Sequence, residues 1–237
     1  MDNILSAKHI KAIRSLSSKK YREETGLFVV EGEKMVSEAL ESDFQVVEVW
    51  RRDDIGYDAR ARISQLRSPS PVLAVVKAKS LKDDGGCGGL CLALDGIRDP
   101  GNFGTIIRIA DWFGVDVIYA SEDSVELYNP KTVQASMGAV FRKKVVYCGI
   151  PELCRRFKGA GQPVYGTFLD GENIYGKELS REGLVIMGNE SAGISPHVAE
   201  EVDQRLFIPS FSSGPTAESL NVAVAAAVTL SEFRRRQ

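Results

Sequence analysis

The sequence has little that would suit a metal centre or a membrane span. Its 237 residues include only two histidines and four cysteines, and the cysteine spacings C-x3-C and C-x5-C match none of the common zinc patterns. No apolar run approaches the length of a membrane-spanning helix, and the start does not read as a signal peptide. We therefore expect no metal, no membrane association and a cytoplasmic location.

Several common catalytic and nucleotide-binding patterns are also missing. The glycines after the apolar run at 90–94 are Gly96, Gly101 and Gly104, a spacing that is neither G-x-G-x-x-G nor G-x-x-x-x-G-K-[ST]. A nucleophilic triad has no suitable histidine, since His9 lies in the basic stretch at the start of the chain and His197 in an early helical turn. Hydrolysis by the carboxylate pair Glu190 and Glu218 is possible on paper, but nothing in the sequence fixes their separation.

The composition is that of an ordinary globular protein, with 43% hydrophobic and 26% charged residues and a formal net charge of −2. Any nucleic-acid binding must therefore come from local basic patches. One such patch opens the chain, where Ser6 is predicted to cap a helix with a basic outer face. Two interpretations stay open for this patch, a solvated helix face or an arm that contacts phosphates. Its basic residues are Lys8, Lys11, Arg14, Lys19, Lys20 and Arg22.

The order of predicted elements divides the chain into two α/β domains. A helix and a β-α-β-α-β pattern occupy about the first 77 residues, and a polar, glycine-rich stretch follows at 77–89. Strands then alternate with helices to the end, which indicates a parallel sheet with helices on both faces. We predict a first domain at 1–78, a linker at 79–89 and a second domain at 90–237.

The most informative stretch is DGIRDPGNFGTIIRIA, at 95–110. Its glycines and Pro100 are loop residues that let the backbone approach a ligand closely. Asn102 is predicted to cap the following helix. Arg108 lies six residues further, about 9 Å along a helix axis, and its side chain leans back towards the loop. A cationic group directed at a glycine-rich loop predicts a binding site.

Two later loops carry similar chemistry. One is GNESAGI at 188–194, which follows an apolar strand, and the other runs from an Ile-Pro pair at 208–209 to SLNVA at 219–223. In an open parallel sheet, the loops that contact ligands leave the carboxyl ends of the strands. The three loops are therefore expected to converge.

Taken together, these motifs resemble those of a known family. The ordered set N-x-G-x-x-x-R-x-A at 102–110, GNExxGI at 188–194 and IP…SLNVA at 208–223 is similar to the SpoU (TrmH-type) branch of the SPOUT RNA methyltransferases. The segment SMGA at 136–139 matches the family as well. The segment FVVEGEK at 28–34 resembles the ribosomal-protein-like substrate-binding domain that many members carry.

The resemblance implies an α/β fold with a parallel-sheet SPOUT domain, tied in a deep trefoil knot, behind the small substrate-binding domain. It implies a homodimer that forms through the knotted region, and methyl transfer from S-adenosylmethionine to a ribose 2′-hydroxyl. The implied catalytic residues are Arg108, Asn102, Glu190 and Asn221. The implied cofactor contacts are Thr167, Gly188, Asn189, Ile208, Ser219 and Leu220. The basic residues assigned to RNA are Lys19, Lys20, Arg22 and Arg142.

Other hypotheses remain at this point. The chain could be a catalytically silent RNA-binding or ribosome-assembly protein with the same fold, although its full set of motif residues argues against this. A dinucleotide-dependent enzyme lacks the glycine fingerprint. Ribosomal RNA is the favoured substrate and tRNA the second. The loop at 210–217, SFSSGPTA, is longer than the compact loop of the family, which leaves open how closely it covers the cofactor.

Overall fold

The computed structural model of the chain describes residues 5–66 and 68–235. By their internal contacts, these residues form two compact units. The first contains the chain up to Ser80 together with Glu126–Arg142, and the second contains Leu81–Val125 and the chain from Lys143 onward. A stretch from the middle of the sequence thus belongs to the unit at its start. The predicted domain boundaries at 78 and 90 stay a prediction.

The elements follow the predicted alternation closely. An unpredicted helix, α2, precedes the first strand, and α4 is broken at Gly56, where φ is +78°. The helices are α1 (Ala7–Ser15), α2 (Lys19–Thr25), α3 (Glu33–Glu41), α4 (Arg52–Ile63), α5 (Pro100–Trp112), α6 (Pro130–Ser136), α7 (Ile150–Gly159), α8 (Pro196–Ala199) and α9 (Val222–Arg235). The strands are β1 (Leu27–Glu31), β2 (Val46–Arg51), β3 (Val72–Lys77), β4 (Leu90–Asp95), β5 (Val117–Ala120), β6 (Lys144–Tyr147), β7 (Val164–Asn173), β8 (Gly183–Gly188) and β9 (Gln204–Phe207).

The first unit is built on a small antiparallel sheet with the order β1-β3-β2. Helix α1 begins as predicted, because the Ser6 side chain accepts a hydrogen bond from the backbone N–H of His9 at 3.2 Å. Its apolar positions, Ile10 and Ile13, are buried against this sheet. The basic side chains of α1 are thereby left on the outer face.

Arg22 requires a correction, because the sequence assigns it to RNA and the structure buries it. Its side chain is only 5% exposed. The Nη1 group donates to the Leu16 carbonyl at 2.7 Å, and the guanidinium also pairs with Glu126. A charge buried with such partners supports the fold and is not free to meet a phosphate. Arg22 therefore joins the two stretches of the first unit.

An aromatic cluster explains why the middle stretch packs into this unit. Phe28 of β1 stacks on Tyr128 with ring centroids 4.4 Å apart, and Phe44 meets Phe141 edge to face at 5.2 Å. Burial raises the pKa of Tyr128 to about 12, and its hydroxyl donates to the Lys79 carbonyl at 2.9 Å. Rings from both stretches therefore build one core.

The second unit contains a six-stranded sheet with the order β6-β5-β4-β8-β7-β9, in which every pairing is parallel. This confirms the predicted parallel sheet. Strand β4 is fully buried, and β8 is buried up to its last residue, as expected for strands covered on both faces. Helices α5 and α9 pack against each other, and Arg234 of α9 donates to the carbonyls of Phe113 and Gly114 just after α5.

The register of this sheet brings two motif loops together. Strands β4 and β8 are neighbours, and Asp95 at the end of β4 lies opposite Gly188 at the end of β8. The loops that follow them therefore leave the sheet side by side. In the described part of the chain, no helix has both the length and the apolar character that a bilayer span requires.

Candidate functional site

The first motif loop is held by a ladder of short hydrogen bonds. Gly96 has a φ of +69°, which favours glycine. Its backbone N–H donates to Ser121 Oγ at 2.8 Å, and that hydroxyl donates to Asp123 Oδ1 at 2.7 Å. The hydrogen bond from Ser121 and the nearby Arg98 lower the pKa of Asp123. The carboxylate thus stays ionised and fixes the loop.

Asn102 does not cap helix α5, and this corrects the sequence prediction. The cap is Asp99, whose Oδ1 accepts from the backbone N–H of Asn102 at 2.7 Å, and Pro100 occupies the first helical turn. Aspartate at this position accepts the helix N–H as well as asparagine does and also carries the favourable charge. The Asn102 side chain is thereby released from capping.

The released amide forms the centre of a hydrogen-bonded chain through all three motifs. Asn221 Nδ2 donates to Asn102 Oδ1 at 2.9 Å, and Asn102 Nδ2 donates to Glu190 Oε1 at 2.8 Å. These residues are 119 and 88 positions apart in sequence. Three of the four residues predicted to be catalytic are therefore brought together.

The hydrogen-bonding groups of these residues fix the orientation of the side-chain amides of Asn102 and Asn221. An ionised carboxylate only accepts hydrogen bonds, so Glu190 selects the Nδ2 side of Asn102. The remaining Oδ1 of Asn102 must then accept, which selects the Nδ2 side of Asn221. Asn221 Oδ1 accepts the N–H groups of Ala223 and Val224 at 3.0 and 3.3 Å. The Asn221 side chain therefore caps the start of α9.

The second motif loop is a tight turn that Asn189 closes. The backbones of Asn189 and Gly193 exchange two hydrogen bonds of 2.9 Å. The Asn189 Nδ2 group donates to the Gly96 carbonyl at 2.7 Å, which ties the second loop to the first. Asp95, which is buried, accepts from the Ser195 N–H at 2.7 Å.

The residues predicted to hold the cofactor line the same edge of the sheet. Gly188 ends β8, and a Cβ there would lie 2.2 Å from the carbonyl carbon of Gly193. Thr167 lies on neighbouring β7, where its hydroxyl donates to the Ile186 carbonyl at 3.3 Å. Ile208 follows β9 and is half-buried, and Ser219 and Leu220 are exposed immediately before α9. Close backbone approach and exposed loop groups are available for a ligand.

Arg108 is exposed on α5 and directly follows the buried Ile107. Its guanidinium makes no hydrogen bond or ion pair with any residue that the structure describes. Glu190, the carboxylate of the second motif loop, engages Asn102 instead. The planar fork of Arg108 is available to a phosphate or to an oxygen that develops negative charge.

The basic residues assigned to RNA fall outside this site, in the first unit. Lys19 and Lys20 on α2 are 66% and 77% exposed and have only long contacts to Glu23 and Glu24. Arg142 pairs with Glu38 and is 43% exposed. RNA contact by these three side chains stays a prediction.

Two carboxylates that shape the site, Asp95 and Asp99, were not predicted from the sequence. Asp95 fixes the end of the second loop, and Asp99 caps α5. Asp99 directly precedes the first residue of α5, and this position was the signal for a cap. Asp95 ends β4 and had no comparable local signal. The order Asp-Pro, with proline at the first helical position, favours Asp99 over Asn102.

Comparison with known proteins finds matches over both parts of the chain. The SpoU rRNA Methylase family matches residues 89–231, and the MRM3-like substrate binding domain matches residues 7–80. A relative from Bacillus subtilis (strain 168), the 23S rRNA (guanosine(2553)-2′-O)-methyltransferase RlmP, is 32% identical over 99% of this chain and 100% of its own length.

Solved structures agree over nearly the whole chain. A TrmH-family protein from Porphyromonas gingivalis is 38% identical with a TM-score of 0.87, covering 99% of this chain and 100% of that chain. An AdoMet-bound rRNA methyltransferase from Sinorhizobium meliloti is 28% identical with a TM-score of 0.87, covering 98% and 97%. The family that the motifs predicted is confirmed: the chain belongs to the SpoU rRNA methylase family.

Proposed function

We propose that this protein transfers a methyl group from S-adenosylmethionine to a ribose 2′-hydroxyl in structured RNA. The observation that carries the proposal is the hydrogen-bonded chain Asn221–Asn102–Glu190, which joins all three motif segments. Its central residue, Asn102, lies on the same helix as the exposed Arg108. Ribosomal RNA is favoured over tRNA, because the full-length relative RlmP is named for 23S rRNA.

The residues at the ends of β7, β8 and β9 fit S-adenosylmethionine. Gly188 leaves room where any side chain would collide with the neighbouring backbone, so main-chain groups can approach the adenine. Ile208 and Leu220 provide apolar surface, and Thr167, Asn189 and Ser219 provide polar groups. The bound cofactor would supply a methyl group activated by a sulfonium.

Arg108 is proposed to act on the hydroxyl that is methylated. A guanidinium has five donor N–H groups and no acceptor, so we assign Arg108 no role as a general base. It would hold a phosphate of the RNA and stabilise the negative charge that develops on the attacking oxygen. An exposed arginine without a partner among the described residues is available for both contacts.

Asn102 and Asn221 are proposed as positioning residues, and Glu190 as the group that receives the hydroxyl proton. Glu190 Oε1 is occupied by Asn102, whereas Oε2 has only a 3.5 Å contact with Asn189 among the described residues. An exposed carboxylate with one lightly engaged oxygen can accept a proton and pass it to solvent. The capped end of α9 holds this acceptor in place through the two amides.

We also propose the deep trefoil knot and the homodimer of the family, with a cytoplasmic location. The dimer is supported by exposed apolar side chains on the packed pair α5 and α9. Trp112 is 85% exposed on α5, and Val224 is 50% exposed on α9. A tryptophan this exposed is unusual for a surface that stays in water.

Changing Trp112 to glutamate is expected to separate the dimer. A charge at the centre of an apolar interface must be desolvated without a partner, which costs far more than the lost apolar area. Light scattering after gel filtration should give about twice 25.9 kDa for the wild type and about 25.9 kDa for Trp112→Glu. The control Tyr57→Glu alters a 63% exposed aromatic residue of the first unit and should remain dimeric. Equal masses for all three proteins would remove Trp112 from the interface.

The proposed reaction is tested by following label from the methyl group of the cofactor. Tritium should enter ribosomal RNA and survive nuclease digestion as a 2′-O-methyl nucleoside. Label found only on a base would contradict ribose methylation. A protein that binds RNA but shows no cofactor binding by calorimetry would instead be the silent RNA-binding protein. Mapping 2′-O-methylation in cells with and without the gene would identify the nucleotide.

A further inference from the structure

The first unit contains a cavity that the proposed reaction does not use. It has a volume of about 270 Å³, and strand β1, the segment after α4 and helix α6 form its walls. Val29, Leu66 and Val133 make these walls largely apolar. The volume is just below the range of about 300–1,000 Å³ that drug-sized ligands occupy. A ligand here would be about the size of one nucleobase.

The polar groups of the cavity leave one donor unused. Glu31 lines the cavity, but Arg60 Nη2 at 3.0 Å, Ser64 Oγ at 2.8 Å and the Gln65 N–H at 2.5 Å already occupy its carboxylate. The Nε2 group of Gln65, which also lines the cavity, is buried and has no hydrogen-bond partner among the described residues. Such a group is costly unless a ligand satisfies it. The cavity therefore suits a neutral ligand that presents a hydrogen-bond acceptor.

A lysine beside the cavity could bind the phosphate of a nucleotide. Lys131 lines the cavity and is exposed, and its ammonium makes no ion pair with any residue in the described ranges. It is free to meet a phosphate, as basic side chains do in RNA complexes. Its neighbour Gln134 adds an amide that can read the edge of a base.

We propose that this cavity binds one unpaired nucleobase of the RNA substrate. This inference rests on the proposed function, since it places the ligand in the substrate RNA. The base packs on Val29, Leu66 and Val133 and accepts a hydrogen bond from Gln65, while Lys131 holds its phosphate. Every nucleobase has an apolar face and an acceptor on its edge. A lipid would leave the Gln65 amide unsatisfied, and a free anion would not use the apolar walls.

Crosslinking of the full-length protein tests the location. The probe is a pool of short single-stranded RNAs of random sequence that contain 4-thiouridine, irradiated in complex with the protein. Mass spectrometry should find crosslinked peptides that carry Leu66 or Val133. Crosslinks confined to peptides outside the cavity would overturn the proposal, whatever the protein does with its cofactor.

A variant that fills the cavity tests the occupant. Ala135 lines the cavity from α6, and Ala135→Leu should weaken binding of the same RNA pool by about tenfold in fluorescence anisotropy, the scale of one lost base contact. Ala61→Leu, an equal enlargement at an exposed position of α4, should bind as the wild type does. Unchanged affinity in Ala135→Leu, with the wild-type melting temperature, would overturn the proposal.

The same variants separate this inference from the proposed function. Cofactor binding is measured by calorimetry and belongs to residues of the second unit, so Ala135→Leu should retain the wild-type Kd for S-adenosylmethionine. If wild-type protein crosslinks at the cavity but shows no methyl transfer, the reaction is wrong and the base-binding cavity stands. If methyl transfer proceeds without crosslinks at the cavity, the reverse holds.

Discussion

Replacing Arg108 with alanine should lower the turnover of methyl transfer by about 10²–10³-fold, the loss seen when one preorganised donor to a developing oxyanion is removed. Arg108→Lys should recover only part of this loss, because an ammonium keeps the charge but lacks the planar fork that holds a phosphate by two hydrogen bonds. The measurement is single-turnover transfer of labelled methyl to RNA at saturating cofactor.

The exposed position of Arg108 allows an effect on turnover to be separated from an effect on stability. The side chain is exposed and has no partner in the part of the chain that the structure describes, so both variants should keep the wild-type melting temperature and cofactor Kd. Arg181→Ala removes another exposed arginine of the second unit and should leave turnover unchanged. Near-normal turnover of Arg108→Lys would refute the role of the fork, and near-normal turnover of Arg108→Ala would refute any role in the reaction.

Gly188→Ala should abolish tight cofactor binding. The new Cβ would lie 2.2 Å from both the carbonyl carbon of Gly193 and the backbone nitrogen of Ile194. That turn cannot simply move away, because its two 2.9 Å backbone hydrogen bonds with Asn189 hold it. The clash can therefore be relieved only if the second motif loop opens. An overpacked position of this kind lowers the free energy of unfolding by about 1–3 kcal/mol.

Displacement of this loop carries with it Asn189 and the other groups that we propose to face the adenine. Calorimetry should show a Kd for S-adenosylmethionine raised by at least about tenfold, the equivalent of about 1.4 kcal/mol, and the melting temperature should fall. Gly159→Ala is the matched control, since a Cβ at the end of α7 would meet nothing within 4 Å. Wild-type affinity in Gly188→Ala would show that the loop is not part of the cofactor site.

Local signals in the sequence predict much of this structure. Ser6 starts α1 because a serine side chain can accept a helix N–H. The apolar runs at 90–94 and 184–187 predict buried parallel strands, because only strands covered on both faces lack polar alternation. The order of the three motifs identifies the family and gathers Asn102, Glu190 and Asn221 correctly.

The errors arise where a long-range partner decides the outcome. The sequence predicts Arg22 as a surface residue of a basic segment. Its side chain is instead buried, because it pairs with Glu126, about a hundred positions later. Phe28 likewise stacks on Tyr128, which is far away in the sequence, and the stretch Glu126–Arg142 belongs to the first unit. Local propensity cannot weigh contacts that close such long loops. The error at Asn102 is of another, local kind, because Asp99 precedes Pro100 and takes the helix N–H, as the Asp-Pro order favours.

The chain of amides also sets the order in which the protein becomes competent. Asn221 precedes the last helix, and it orients Asn102 across 119 positions of sequence. During synthesis, Asn102 and Glu190 leave the ribosome well before α9 is complete. We therefore expect the two earlier motif loops to fold without fixed amide orientations until the carboxyl-terminal helix docks. The hydrogen-bonded site is thus complete only once Asn221 docks, and a nascent chain that ends before α9 lacks the fixed amide of Asn102.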